Sequence, residues 1–272
     1  MKSVGSPAEQ LSTPLDREHE WALVGAREKA RSVVALTEGM DISTLLEVGC
    51  GSGAVLEQLD HEGFAERYYA IEPSAELVNY MRSRGAIGRL VDADAATLRG
   101  SRLGRERYDL VVLSHVLEHV EDPGRILCDA LDIGELVLVE VPLEGSFLGN
   151  LRAAVRRRST GAPRRNNPAG HIQYFGYRDI RALVHSSGGD ILRERIYVPR
   201  AGLWYQFARE SFARKVYHAA VLALSRLAPA LWGRFYYGHF ACLVSPRPSM
   251  ETPDRSRWPS FYHYEPGGGE SP

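Results

Sequence analysis

The sequence predicts an α/β fold in which a mostly parallel sheet carries helices on both faces. Two observations point to it. From Thr44 to Val141 five short apolar runs of β character alternate with helical segments. At the first junction, "LLEVGCGSGAVLEQL" (Leu45–Leu59), a strand-like run enters a glycine-rich turn and leaves as a helical pattern, the arrangement that offers backbone N–H groups and a helix N-terminus to a ligand.

Residues 1 to about 16 are rich in Ser, Pro and Gln and read as loose chain. "REHEWALVGAREKARSVVALT" then places Trp21, Leu23, Val24, Ala30, Val33, Val34 and Leu36 at helical spacing. The core follows as strand "TLLEV", a helix from Gly53, strand "YYAI", helix "SAELVNYMRSRG", a strand near "GRLV", strand "YDLVVL", helix "DPGRILCDAL" and strand "ELVLVEV". A helix and strand resume in "YRDIRALVHSSGGDILRERIYV", a helical stretch runs from about Leu203 to Leu227, and "HFACLVSP" reads as the last strand. The expected organisation is an N-terminal helical extension (1–40), a main domain (41–245) and a disordered Pro/Ser/Gly-rich tail (246–272). Within the main domain, 143–170 is an arginine-rich lid loop and 200–235 a helical cap.

The chain has 272 residues, 44% hydrophobic and 25% charged, enough to bury a full core. Its formal charge of −1 provides no general attraction for nucleic acid or an anionic membrane. Cys50, Cys128 and Cys242 are isolated, without the paired spacing of a thiolate metal site or disulfide framework. They read as reduced thiols of a cytoplasmic protein, and no metal site is expected. The N-terminus lacks a secretory pattern, and Arg226 and Pro229 break the most apolar late stretch before it could span a bilayer.

The glycine turn admits two nucleotide readings. Gly49-x-Gly51-x-x-Ala54, with Glu72 about 20 residues beyond, satisfies the dinucleotide fingerprint. Other features favour a different ligand: Glu47 precedes the first glycine, Asp94 follows the third strand, and the fourth strand runs into "SHVLEHV". With Glu47-x-Gly49-x-Gly51-x-Gly53, an acid after strand two, Asp94-Ala95 after strand three and His115-Val-Leu-Glu-His-Val120 after strand four, the chain resembles class I S-adenosylmethionine-dependent methyltransferases of the small-molecule branch. The resemblance covers about Leu45 to Pro142, with an echo at "GHIQYFGYRDI", and implies a Rossmann-like fold.

By that resemblance Glu47, Gly49, Cys50, Gly51 and Gly53 surround the methionine part of the cofactor. Glu72, with Pro73 beside it, takes the ribose hydroxyls, Asp94 and Ala95 bind adenine, and Ser114 and His115 line the sulfonium side. The ligand carries a sulfonium and an α-amino group but no phosphate, so carboxylates suit it where a pyrophosphate would be repelled. The product would be S-adenosylhomocysteine.

An acceptor hydroxyl of high pKa needs a base. His115, His119 and His171, near the C-terminal sheet edge, qualify; His119 and His171 are the leading pair, each with a structural alternative: a backbone hydrogen bond for His119 and a loop staple for His171. Glu118 reads as a solvated or helix-start carboxylate. Tyr174, Phe175 and Trp204 are candidates to wall an acceptor site, and Gly176 can cap the next helix. The arginines at 152, 156, 157, 158, 164 and 165 suit a phosphate or carboxylate on the acceptor, or simply solvate a loop. Nucleic acid is disfavoured because aromatics are not interleaved with them. Membrane-surface attachment through the apolar stretch after Leu203 is a less favoured option, and oligomeric state is not legible. The expected activity is O-methylation of a sugar or secondary metabolite; the alternatives are a quinone- or lipid-type methyltransferase and a non-catalytic cofactor-binding subunit.

Overall fold

The computed structural model describes residues 13–143, 170–198 and 238–247, together with the isolated helical positions 216, 219, 223 and 227. The chain order is α1 (Pro14–Leu36), β1 (Thr44–Val48), α2 (Ala54–His61), β2 (Arg67–Ile71), α3 (Ala75–Arg84), β3 (Leu90–Asp94), β4 (Tyr108–Ser114), α4 (Pro123–Ile133), β5 (Gly134–Pro142), α5 (Tyr177–Ser186), β6 (Gly189–Tyr197) and β7 (His239–Pro246). The strands form one seven-stranded sheet in the order β3-β2-β1-β4-β5-β7-β6. Strands β1 to β5 pair in parallel, and β7 runs antiparallel to both β5 and β6. The expected fold class is therefore observed, with antiparallel β7 inserted between β5 and β6.

Local chemistry explains the element ends. Thr13 and Asp16 form a reciprocal capping box ahead of Pro14 at the start of α1. Ser74 caps α3, and Asp122, followed by Pro123, caps α4. Gly176 is the N-cap of α5, its N–H donating to Asp179 Oδ2 at 2.9 Å. Asp109 at the foot of β4 accepts from the Ser43 and Thr44 amides and the Thr44 hydroxyl at 2.7 to 3.0 Å, which sets β1 and β4 in register.

Alternation along the strands divides the core in two. Leu46, Val48, Val111, Leu113, Val137 and Val139 face one side and pack in a cluster with residues of α4 and α5. Leu45, Tyr68, Ala70, Leu110, Val112 and Leu138 face the other, with residues of α1, α2 and α3. Ala26, Ala30, Val33 and Leu36 of α1 belong to this second cluster, so α1 is built into the sheet's covering layer. The expected lid loop at 143–170, most of the helical cap at 200–235 and the tail lie almost wholly outside the described residues. Among the described residues no helix is long and apolar enough to cross a membrane.

Leu113, at the centre of the sheet, has no exposed surface. Leu113→Ala is expected to cost about 2 to 5 kcal/mol, read as a lowered urea midpoint with an unchanged denaturant slope.

Candidate active site

All five parallel strands and β6 point their C-terminal ends to the same sheet edge, where ligands of open α/β sheets bind. The acids predicted at strand tips collect there. Glu47 is the penultimate residue of β1, Glu72 follows β2, Asp94 ends β3, and Ser114 ends β4.

The glycine turn is shaped by its backbone. Gly49, Gly51 and Gly53 have φ of 71°, 56° and 80°, left-handed values that a Cβ disfavours. At Gly51 a Cβ would enter open space, so the bare turn leaves room for a ligand; at Gly49 it would meet Val116 Cγ2 at 2.6 Å. The loop and the turn after β4 are thus in direct contact. Cys50, a buried thiol that burial keeps protonated, lies within this turn.

Glu47 is 2% exposed. The Leu56 amide, one of the first-turn N–H groups of α2 that Gly53, as N-cap, has no side chain to satisfy, favours its ionised form. Its Oε2 has no hydrogen-bond partner among the described residues. Burial pushes its carboxyl up to about 8; Lys29 of α1 opposes, and the negative fields of Glu140 and Glu72 add to the rise. Glu72 accepts from the Gly51 and Ser74 amides, both at 3.0 Å, tying the β2 tip to the glycine turn. Asp94 Oδ2 accepts from the Ser101 hydroxyl at 2.6 Å. Ala95 and Pro73 are exposed beside these acids.

Helix α1 clamps the same turn. His19, 1% exposed, places Nδ1 2.9 Å from the Ser52 hydroxyl and Nε2 3.1 Å from Glu57 Oε2. Burial, helped by Arg84, pushes its pKa down. The neutral ring then donates from Nε2 to the carboxylate and accepts from Ser52 at Nδ1.

At the tip of β4, His115 has φ 59°, the one positive value among described non-glycine residues. Its Nδ1 is 2.9 Å from Glu118 Oε1 and its Nε2 3.5 Å from Glu140 Oε1. Burial and Lys29 oppose protonation, but the two carboxylates prevail and raise the pKa, so His115 is an imidazolium. Glu140 accepts from Tyr197 Oη at 2.9 Å and lies 3.8 Å from His239 Nδ1. Burial disfavours its charge, yet His115 and His239 hold its carboxyl well below the usual range. Burial takes His239 down to about 4, which leaves it neutral.

Glu118 corrects the sequence expectation of a solvated carboxylate. It is 0% exposed within the single 3-10 turn Leu117–His119, and although burial opposes its charge, His115 keeps it ionised. His119 is exposed and His171 half-buried; their rings meet edge to face with centroids 4.8 Å apart. Burial lowers the His119 pKa, opposed by the Glu118 carboxylate. The Ile172 and Gln173 amides both donate to the Glu118 carbonyl, at 2.8 and 3.0 Å, so the turn after β4 and the segment before α5 form one unit. Tyr174 is 6% exposed, Phe175 has no exposed surface and joins the core beside α5, and Trp204 lies outside the described residues. Sequence reasoning missed Glu140, His239, Tyr197, Lys29 and His19. A charge within apolar "LVLVEVP" and a histidine heading "HFACLV" were the available signals.

The family model described as "Methyltransferase domain" matches residues 16–194, well over half the chain. The chain belongs to this methyltransferase family. Magnesium protoporphyrin IX methyltransferase from Synechocystis PCC 6803, crystallised with S-adenosylhomocysteine, superposes on the family member with a TM-score of 0.52 at 15% identity, over 87% of this chain and 89% of that one. The [4+2]-cyclase SpnF gives a TM-score of 0.54 at 16% identity, over 82% of each chain. At these identities the likeness establishes the class I methyltransferase fold. A curated relative, the mitochondrial ubiquinone biosynthesis O-methyltransferase of Candida albicans, is 32% identical over 91 residues, 32% of this chain and 28% of that protein's length.

The Glu47 carboxyl is raised in the folded protein, so its contribution to stability is full below about pH 4.5 and is lost as pH rises towards 8. Glu47→Gln is expected to remove that slope. Chemical denaturation of the two proteins from pH 5 to 9 should show the variant gaining on the parent by about 1.4 kcal/mol per pH unit, with the gain levelling off above pH 8.

Proposed function

We propose that this chain is an S-adenosylmethionine-dependent methyltransferase that methylates an oxygen of a small molecule, a sugar or secondary metabolite being the favoured acceptor. The observation that carries the reading is Glu47 Oε2, a buried carboxyl oxygen without a hydrogen-bond partner among the described residues, beside the open glycine turn. A cationic ligand there compensates a charge that burial otherwise suppresses. A pyrophosphate would add repulsion from Glu47, Glu72 and Asp94.

The residues fit the cofactor. Glu47 and the backbone at Gly49, Cys50, Gly51 and Gly53 would hold its methionine portion. Glu72, whose oxygens each retain a further acceptor lone pair, would take the ribose, and Asp94 and Ala95 the adenine. When bound, S-adenosylmethionine supplies a methyl group already carried on a good leaving group. The protein is then left to align the acceptor, exclude water and take up the acceptor's proton. His119 and His171 suit that last task, since one ring is exposed and the other half-buried at the edge of the turn that touches Gly49. Ser114 and His115 would line the sulfonium side, His115 held rigid by its carboxylate partners. A quinone-type acceptor is the second reading, favoured by the local likeness to the ubiquinone biosynthesis enzyme.

Calorimetry against S-adenosylmethionine, S-adenosylhomocysteine and NAD should give binding of the first two alone, tightening as pH rises to about 8 because the cation favours ionised Glu47. Labelled methyl groups should pass into a small-molecule extract, and His119→Ala and His171→Ala should each lower turnover about tenfold or more without loss of cofactor affinity. Binding of NAD in place of S-adenosylmethionine would overturn the reading. Cofactor binding with no turnover on any extract would mark a regulatory subunit, and co-flotation with liposomes would select the quinone- or lipid-type acceptor.

A further inference from the structure

Three metal-ligating side chains meet where the turn after β4 joins the segment before α5. One Glu118 oxygen and one ring nitrogen from each of His119 and His171 lie within 4.8 Å of one another. The two backbone bonds from residues 172 and 173 to the Glu118 carbonyl, and the Gln173 side chain donating to the Val120 carbonyl at 3.2 Å, fix the segments to each other.

Glu118 supplies the independent observation. It is 0% exposed, its Oε1 faces His115 Nδ1 at 2.9 Å, and Oε2 has no hydrogen-bond partner among the described residues. A buried carboxylate oxygen left without a partner is costly, and a cation between it and the two imidazoles would compensate it.

We propose that Glu118, His119 and His171 bind one divalent transition-metal ion, with zinc the reference case. Two imidazoles and one carboxylate select zinc, iron(II) or cobalt(II) over magnesium, which prefers an all-oxygen shell. Ligand bonds of about 2.0 to 2.2 Å require the three atoms to draw in by roughly 1 Å, a movement open to the exposed His119 ring. A second trio, His115, Glu140 and His239, has similar chemistry. Its members already engage one another and Tyr197, and His239 and Glu140 are buried with no exposed ligand to admit an ion.

Three protein ligands leave a coordination position open for an incoming hydroxyl. Resting on the methyltransferase reading, the ion is assigned to the acceptor. With the ion in place His119 and His171 act as its ligands instead of as the base, and a hydroxyl bound there becomes acidic enough to release its proton to solvent water near neutral pH. The oxygen–carbon bond then forms as the carbon–sulfur bond breaks, and the electron pair of that bond stays on sulfur.

The test uses the tag-free full chain, stripped with chelator and titrated with zinc chloride by calorimetry and with cobalt chloride by visible absorption, both without cofactor. The expected result is one equivalent bound, with cobalt bands of a low-symmetry nitrogen/oxygen site lacking thiolate charge transfer. His119→Ala and His171→Ala should each weaken binding at least tenfold, while His239→Gln should not. Unchanged metal affinity in both histidine variants, or binding lost only in His239→Gln, would overturn the site. Circular dichroism of His119→Ala, altered at an exposed position, guards against misfolding as the cause. If the ion binds as expected and no methyl transfer occurs, the site stands and the methyltransferase reading fails. Full turnover by verified metal-free enzyme would remove the ion from the reaction.

Discussion

The buried charge of Glu140 constrains the architecture more than any other group. A carboxylate with no exposed surface persists only when cations and donors surround it, and here they come from β4 through His115, β7 through His239 and β6 through Tyr197. Four strands must therefore align at one edge for the charge to be accommodated. The register agrees: Ser114 lies opposite Glu140, and His239 opposite both Pro142 and Tyr197. A one-residue slip of β7 would turn His239 to the other face and leave Glu140 short of a partner. The same network holds His115 in its left-handed conformation, which directs the chain into the turn bearing Glu118 and His119.

Much of the fold was legible because its signals are local. Apolar runs gave the strands, with β1 and β7 matching their predicted spans, and Gly176 was readable as a cap from its position before "YRDI". The glycines and the acids at three strand tips were visible for the same reason, since a strand end and the side chain it carries are adjacent in sequence. The Glu140 cluster was not, because two of its three partners, Tyr197 and His239, lie 57 residues or more away in β6 and β7. The burial of Glu118 was hidden for a related reason: a polar "LEHVED" run reads as surface until the chain after Gly170 covers it. The tie between His19 and Ser52 joins residues 33 apart across two elements and leaves no pattern in either.

Fold and reaction are separate questions here. The same architecture is found in a porphyrin methyltransferase and in a protein known as a cyclase, so the scaffold itself does not select the chemistry. Selection lies with groups placed on the shared edge: which acids remain ionised, which histidine is fixed as a cation and which pair is left facing outward. In this chain burial and charge have sorted chemically similar residues into different states, with Glu47 raised, Glu118 and Glu140 held ionised, His115 charged and His239 neutral.

The missing side chain at Gly49 has a mechanical consequence. With Val116 Cγ2 2.6 Å from where a Gly49 Cβ would stand, the glycine loop and the histidine-bearing turn mesh like neighbouring cogs. Interiors packed this tightly transmit displacement instead of absorbing it. A displacement of the glycine loop would therefore pass to the histidine-bearing turn through a valine methyl.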